Sequence, residues 1–389
     1  LNNSSSFLLI KNGNLYDPRE RGKKDLLVVN DRIVKIDEDI DPTGDFDPEI
    51  VDASGKLVVP GFIDIHVHLI GGGGEAGPYS RVPELPLSEI AEAGITTVVG
   101  TLGTDDVSRS VETLLAKVQG LNRHISSYMY TGSYHLPSET ITGSVKKDVA
   151  LIDEIIGVKL AISDHRSSQP TQDELLKISS EARVGGMLGD KPGIVHLHVG
   201  GGEGGLGPVR KAATQSEIPL TQFLPTHVGR SPKLLREGVE LVERGGYIDI
   251  TCPGDSSDRK EAVEFIAKTF KENDITLENV TLSSDGNGSM PEFDEGGELV
   301  GLTKGKVNTL HKTFIDFVRS NALGLPEALT LITANPARRL GIEDRKGSLE
   351  VGKDADLLLL SEELDIEKAF AKGELIADDG RGVIEGPYE

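Results

Sequence analysis

The 389-residue chain has a single cysteine, Cys252, so it cannot form an intramolecular disulfide, and a reducing compartment suits it. No uncharged apolar stretch approaches 18 residues, which argues against a membrane-spanning helix. Basic residues are in deficit: 41 Lys and Arg stand against 63 Asp and Glu, for a net charge of -22. That balance disfavours nucleic acid, whose phosphates require a basic surface, and no polybasic run points to a membrane. The opening segment Leu1-Asn2-Asn3-Ser4-Ser5-Ser6-Phe7 lacks the basic region and apolar core of a signal peptide. It also lacks an initiator methionine, as a trimmed chain would. A cytoplasmic location is expected. Internal repeats and low-complexity tracts are missing as well. An acidic protein can still bind an anionic small molecule, but it then needs arginines placed inside the site.

What is present is ordinary for a globular enzyme, with 37% hydrophobic and 27% charged residues. The length suits one large domain and a smaller one. Near the N-terminus, Phe7-Leu8-Leu9-Ile10 leads to Asn12-Gly13, and Leu26-Leu27-Val28-Val29 leads to Asn30-Asp31 and Ile33-Val34-Lys35-Ile36. These read as hairpins turning at Asn12-Gly13 and Asn30-Asp31. The C-terminal stretch, with Leu357-Leu358-Leu359-Leu360 and Glu374-Leu375-Ile376-Ala377, is similar. Neither end could form a stable sheet alone. The expectation is a small, discontinuous β-sandwich-like domain from residues 1–60 plus 340–389.

Between the ends, strand and helix signals alternate. Strands are expected over 61–69, 96–102, 126–132, 157–162, 193–199, 221–226, 247–251 and 280–284. Amphipathic helices are expected over 111–121, 174–182, 233–243 and 261–272. Eight such units in residues 61–339 predict an α/β fold, a (β/α)8 TIM barrel. A doubly wound open sheet would show the same alternation. The barrel is preferred because chemically capable residues recur where the strands end.

The first such strand ends in His66 and His68. Residues i and i+2 of a strand share a face, so both imidazoles would converge on one point, as ligands of one metal must. His198 and His227 also end apolar runs. His196 shares the face of His198 but lies deeper, and is read as a packed or supporting histidine. His124 and His311 fall in polar helical surroundings and are expected at the surface. Lys159 sits within a buried strand, where an unpaired ammonium is costly. Carbamylated by carbon dioxide, it would become an anionic ligand able to bridge two cations; otherwise it would pair with an acid or reach the rim. Asp285, in Ser283-Ser284-Asp285-Gly286, caps a turn or, following the eighth strand, faces the metals as ligand and proton carrier.

These motifs resemble the amidohydrolase superfamily, in its binuclear branch with a carbamylated lysine. Pro60-Gly61-Phe62-Ile63-Asp64-Ile65-His66-Val67-His68 is similar to its first-strand signature, and Gly352-Lys353-Asp354-Ala355-Asp356-Leu357 to its C-terminal motif. The resemblance implies two zinc ions: His66, His68 and Asp285 on one, His198 and His227 on the other, with Lys159 and a hydroxide bridging. The loops His68-Leu69-Ile70-Gly71-Gly72-Gly73-Gly74-Glu75, Thr131-Gly132-Ser133-Tyr134-His135 and Ser163-Asp164-His165-Arg166-Ser167 are more specific, and resemble the isoaspartyl dipeptidases. The run Gly200-Gly201-Gly202-Glu203-Gly204-Gly205 departs from that pattern.

A β-aspartyl dipeptide needs one anion for its amine and at least two cations for its carboxylates. Glu75 suits the amine, and Arg166 and Arg230 the carboxylates, since a guanidinium binds carboxylate oxygens in pairs. The resemblance adds polar contacts from Gly73, Gly74 and Thr104, and a bond from Ser289 to a carboxylate. Tyr134 is expected to donate to the oxyanion, and Asp285 to carry the proton to the departing amine. Residues 71–74 are read as a flexible loop closing over substrate rather than a phosphate cradle, for lack of a Gly-Lys-Ser/Thr ending. A dipeptide substrate and a homo-oligomer are expected. The rival functions are another binuclear amidohydrolase (dihydroorotase, hydantoinase or N-acyl amino acid deacylase), a mononuclear deaminase, and an inactive scaffold.

Overall fold

All eight expected apolar runs become strands of the central domain: Phe62–Val67, Ile95–Gly100, Ser126–Gly132, Ile155–Ile162, Ile194–Val199, Phe223–Thr226, Ile248–Thr251 and Val280–Ser283. The computed structural model describes residues 7–42, 48–254, 256–293, 299–386 and 389. The first six strands form one curled parallel sheet in chain order, and the last two form a parallel pair. A bridge between Val67 and Gly286 joins the first strand to the end of the eighth. A doubly wound sheet would reverse strand order at its middle; here the order never reverses, and the fold is a TIM barrel.

Helices cover the outside. Val111–Leu121 starts under a Ser110 cap on the Thr113 amide. Gln172–Gly189 starts from a capping box of Thr171 and Glu174, and runs past the expected end at 182 because it packs along Val145–Leu151. Pro232–Glu243 and Ser256–Glu272 match their amphipathic patterns. Strand and helix side chains between these layers form the main apolar core.

Both chain ends meet in one nine-stranded sheet. Its seam is Leu57–Pro60, which pairs in parallel with Phe7–Tyr16 and antiparallel with Leu357–Leu360. Alternation along Leu357–Leu360 explains how the sheet serves two cores. Leu357 and Leu359 join Leu8, Ile10 and Val28 on one face, while Leu358 and Leu360 pack into the barrel's core on the other.

Two local expectations fail here. Asn12-Gly13 is no turn: the strand continues through it with a shift of register, Asn12 taking a left-handed φ of 64°. A bulge uses the same residue types as a tight turn, and the Asp25 carboxylate accepts from the Asn12 amide at 2.8 Å to hold it. The turn at Asn30-Asp31 does form. His311 is not a surface residue either. It stacks near Phe62 and Phe314, and its Nε2 donates to the Leu364 carbonyl at 2.8 Å. His124 is half-buried.

The C-terminal motif has a structural role. Lys346 is buried between Asp354, at 2.8 Å, and Asp356. Asp354 also pairs with Arg345 at 3.0 Å and with Arg32 at 2.6 Å. Burial alone would raise the Asp354 pKa, but Lys346 and Arg345 outweigh it and hold the carboxyl below its usual range. Asp354→Ala removes one of the two carboxylates on buried Lys346 and the partner shared by Arg345 and Arg32, and should lower unfolding free energy by about 3 kcal/mol in urea titration. Because the folded pKa is depressed, this contribution is complete above the unfolded value near ~4 and fades as pH falls through the folded one.

Candidate active site

The residues that end the barrel strands converge at one mouth. His66 is fully buried, with Nε2 3.1 Å from Lys159 Nζ and 3.4 Å from Asp285 Oδ1. His68 Nε2 lies 3.1 Å from the same Asp285 oxygen. His227 reaches the site because its backbone turns left-handed, with φ of 65°, directly after the sixth strand. Its Nδ1 bonds Thr251 Oγ1 at 2.6 Å. Its ring packs 5.4 Å from His66 and 4.4 Å from His198. All six expected ligands thus form one contiguous cluster. Within it, ligand atoms of His66, His227 and Asp285 lie within 4.8 Å of one another.

Hydrogen bonding leaves this cluster unfinished. His227 Nε2, His68 Nδ1 and Asp285 Oδ1 are buried with no aligned partner among the described residues. Burial pushes the pKa values of His66 and His227 well below the ordinary histidine value, and that of His198 to about 4. These imidazoles are neutral at pH 7, so each keeps one ring lone pair able to bind a cation. Burial also brings Lys159 down to about 7, against the pull of Asp285 and Asp249. For Asp285 burial acts upward, yet the facing His66 and His68 hold it well below the usual carboxylate range. Neutral imidazoles, an amine that is partly uncharged and an ionised carboxylate fit a borderline divalent cation such as zinc.

His198 is placed differently from the other ligands. Its Nε2 meets Asp164 Oδ2 at 2.7 Å, and its Nδ1 takes a 2.6 Å bond from the Tyr134 hydroxyl. His196 is fully buried one layer below, stacked on Tyr130 at 4.7 Å, with neither ring nitrogen bonded. It packs, as expected.

Recognition residues surround the cluster. Arg166 lies 5.6 Å over the Tyr134 ring, and its Nη1 is 3.5 Å from Glu75. Arg230 ends the short helix Val228–Arg230 after the sixth strand. It is exposed, its amide donates to the His227 carbonyl at 3.0 Å, and among the described residues its guanidinium makes no ion pair or hydrogen bond. Thr104 is half-buried in the loop after the second strand, and Ser289 is half-buried at the start of strand Ser289–Phe293. Burial raises the Tyr134 pKa, so the phenol stays protonated and able to donate.

The glycines at 71–74 do not form a free loop. A Cβ on Gly71 would sit 2.0 Å from the Val82 carbonyl oxygen. Gly72 donates to Asn287 and accepts from Val82 and Arg109 at 2.9–3.0 Å. Here glycine serves close backbone approach, and Gly73 and Gly74 are held beside Glu75 by the bridge from Gly73 to Arg81.

Several supporting residues escaped the sequence reading. Asp249 accepts from Thr226 and Ser283, both at 2.6 Å, and Thr226 Oγ1 lies 3.4 Å from His66 Nδ1. Burial lifts Asp249 to about 6. Its place on the inward face of Ile248–Thr251, two residues before Thr251, was the available signal. Asp64, lifted to about 7 by burial, accepts from the His66 and Ser284 amides. His135 joins Asp106, at 2.8 Å, to the Arg166 carbonyl, at 3.0 Å.

Comparison with known proteins agrees with this geometry. The model of the amidohydrolase family matches residues 57–376. The crystal structure of a β-aspartyl dipeptidase from Fervidobacterium islandicum AW-1, in complex with β-Asp-Leu dipeptide, superposes with a TM-score of 0.91. It is 42% identical, over 99% of each chain. A dihydropyrimidinase from Brevibacillus agri NCHU1002 shares the fold, with a TM-score of 0.66 and 16% identity over 97% of this chain and 96% of that one. By sequence, a dihydroorotase from Aquifex aeolicus is 26% identical over 93% of both chains. With four-fifths of its length matched and a barrel that gathers the ligands at one mouth, the chain belongs to the amidohydrolase family, in the group that holds the β-aspartyl dipeptidases.

Proposed function

We propose that this hydrolase cleaves the isopeptide bond of β-aspartyl dipeptides, using two zinc ions held by His66, His68, Lys159, His198, His227 and Asp285. The observation that carries the reading is the Arg166–Glu75 pair beside the ligand cluster, its charges 3.5 Å apart. An aspartyl head group bears an ammonium and a carboxylate on one carbon, and this pair offers their complements side by side. Arg230, unpaired at the mouth, takes the second carboxylate, that of the leaving residue. Gly73, Gly74, Thr104 and Ser289 border the same space and supply polar contacts. The 42% identical chain crystallised with β-Asp-Leu supports this substrate class.

When bound, the metals would supply polarisation of the scissile carbonyl and would acidify a water. The chain's own residues do the rest. Tyr134 turns its hydroxyl from His198 Nδ1 to the developing oxyanion, a donation worth about 3 kcal/mol. Asp285, ionised at neutral pH, accepts the attacking water's proton and delivers it to the departing amine. Lys159 is buried beside His66 with no acid within bonding distance among the described residues, and its pKa near 7 leaves a neutral fraction free to react with carbon dioxide. Its carbamate would add an anionic oxygen to the residues that hold the metals. The same reading treats residues 1–60 plus 340–389 as a discontinuous β domain around a 61–339 barrel, and places a homo-oligomer in the cytoplasm. No helix among the described residues is long and apolar enough to cross a membrane.

The dihydroorotase similarity favours a second reading, a binuclear amidohydrolase acting on a cyclic amide. In that case Arg166 or Arg230 could be replaced with little effect on turnover.

Three outcomes test the proposal. Matched α- and β-Asp-Leu should differ, only the β-linked form being hydrolysed, and a chelator should abolish turnover; equal cleavage of both would refute the specificity. Tyr134→Phe should reduce kcat about 100-fold with little change in KM. Lys159→Met should remove metal binding yet raise the melting temperature of the metal-free protein, because it replaces an amine buried at a desolvation cost; a lower melting temperature counts against that account of Lys159.

A further inference from the structure

We propose that Asp164 is a positioning residue that sets the tautomer of His198 and the orientation of Arg166 at once. The carboxylate is buried at the end of the fourth barrel strand. Its Oδ2 is met by His198 Nε2 at 2.7 Å and by Arg166 Nη2 at 3.0 Å. Its Oδ1 accepts from the Arg166 amide at 2.8 Å and from Arg166 Nε at 3.1 Å. A carboxylate forked by a guanidinium can only accept, so His198 Nε2 must carry the ring proton. The lone pair then lies on Nδ1, the nitrogen that takes the Tyr134 hydroxyl bond and that a metal could use once that hydroxyl turns away. One side chain thereby orients a metal ligand and a recognition arginine, as outer carboxylates do for metal-binding histidines.

The glycine run after the fifth strand gains a purpose from this. Gly200 packs where a Cβ would fall 2.4 Å from the Ser163 carbonyl oxygen and 2.5 Å from Asp164 Cβ. The Gly202 amide donates to the Ser163 carbonyl at 2.8 Å, and Ser163 Oγ donates back to the Gly205 carbonyl at 2.9 Å. Ser163 itself is left-handed, with φ of 54°. The run therefore braces the backbone that aims Asp164. Any larger residue at 200 would push the carboxylate off His198 and Arg166 together.

The Arg166 half of the inference rests on the proposed recognition of an aspartyl head group; the His198 half does not. The test uses the full chain carrying Asp164→Asn, Gly200→Ala, Arg166→Ala and the double variant Asp164→Asn/Arg166→Ala. Zinc affinity is read by competition with a chelating dye, and KM and kcat with β-Asp-Leu. Asp164→Asn should weaken zinc 10- to 100-fold and raise KM at least tenfold. In the Arg166→Ala background it should still weaken zinc but add nothing further to KM. Zinc affinity within twofold of the parent, or KM effects that multiply independently, would overturn the proposal. Should Asp164→Asn fail to fold, Gly200→Ala keeps the carboxylate and displaces it; both readouts must then move in the same directions, and unchanged values overturn the proposal. A parent chain that binds zinc but ignores β-Asp-Leu sinks the substrate reading alone, and the dye competition still decides the role of Asp164 toward His198.

Discussion

The rest of the molecule is organised around lone pairs held out of water without enough donors to satisfy them. Four imidazoles, an amine and a carboxylate share one small volume at the barrel mouth, where burial strips their solvent. Among the described residues, His227 Nε2 and Asp285 Oδ1 lack aligned partners. A flexible chain would relax such a cluster by turning side chains outward. The barrel prevents this, because the ligands project from or just beyond parallel strands whose backbones are fixed by their neighbours. His196, for example, stands in register with Lys159, and His198 with Thr226. The left-handed backbones at His227 and Asp285 cost local strain, and the packed walls sustain it.

Charge is handled by placement. The chain carries net charge -22, yet the mouth presents Arg166 and Arg230 next to the ligand cluster. Long-range repulsion of an anion is screened within about 8 Å at physiological ionic strength. Over shorter distances the placement of the two guanidiniums counts for more than the net charge. Arg166 is also pre-aimed: Asp164 and Glu75 hold its fork, and His135 holds its carbonyl. Less side-chain freedom remains to be lost when a ligand arrives.

The sequence disclosed the strands and their ligands because both obey short-range rules. Strand alternation places His66 beside His68, and apolar runs of five to eight residues announce buried parallel strands. What it concealed depended on partners far along the chain. Asp249 is one acid among many until Thr226, Thr281 and Ser283 converge on it from neighbouring strands. Asn12-Gly13 satisfies the composition of a turn equally well as a bulge, and only the pairing with Lys24 decides. His311 looks solvated by its polar neighbours until Phe62, some 250 positions earlier, packs against it. Residues 71–74 suggested mobility by composition, whereas the Val82 carbonyl makes glycine a requirement of contact.

Sequential synthesis meets an obstacle in the nine-stranded sheet. Leu57–Pro60 is made early, but its antiparallel neighbour Leu357–Leu360 emerges some 300 residues later. While the ribosome works through the barrel, that strand's edge stays open, with Val58 and Val59 exposed to chance pairing. The half-made protein therefore carries an adhesive border for as long as the intervening residues take to make. The strands between residues 357 and 382 act as a latch whose arrival ends that vulnerable interval.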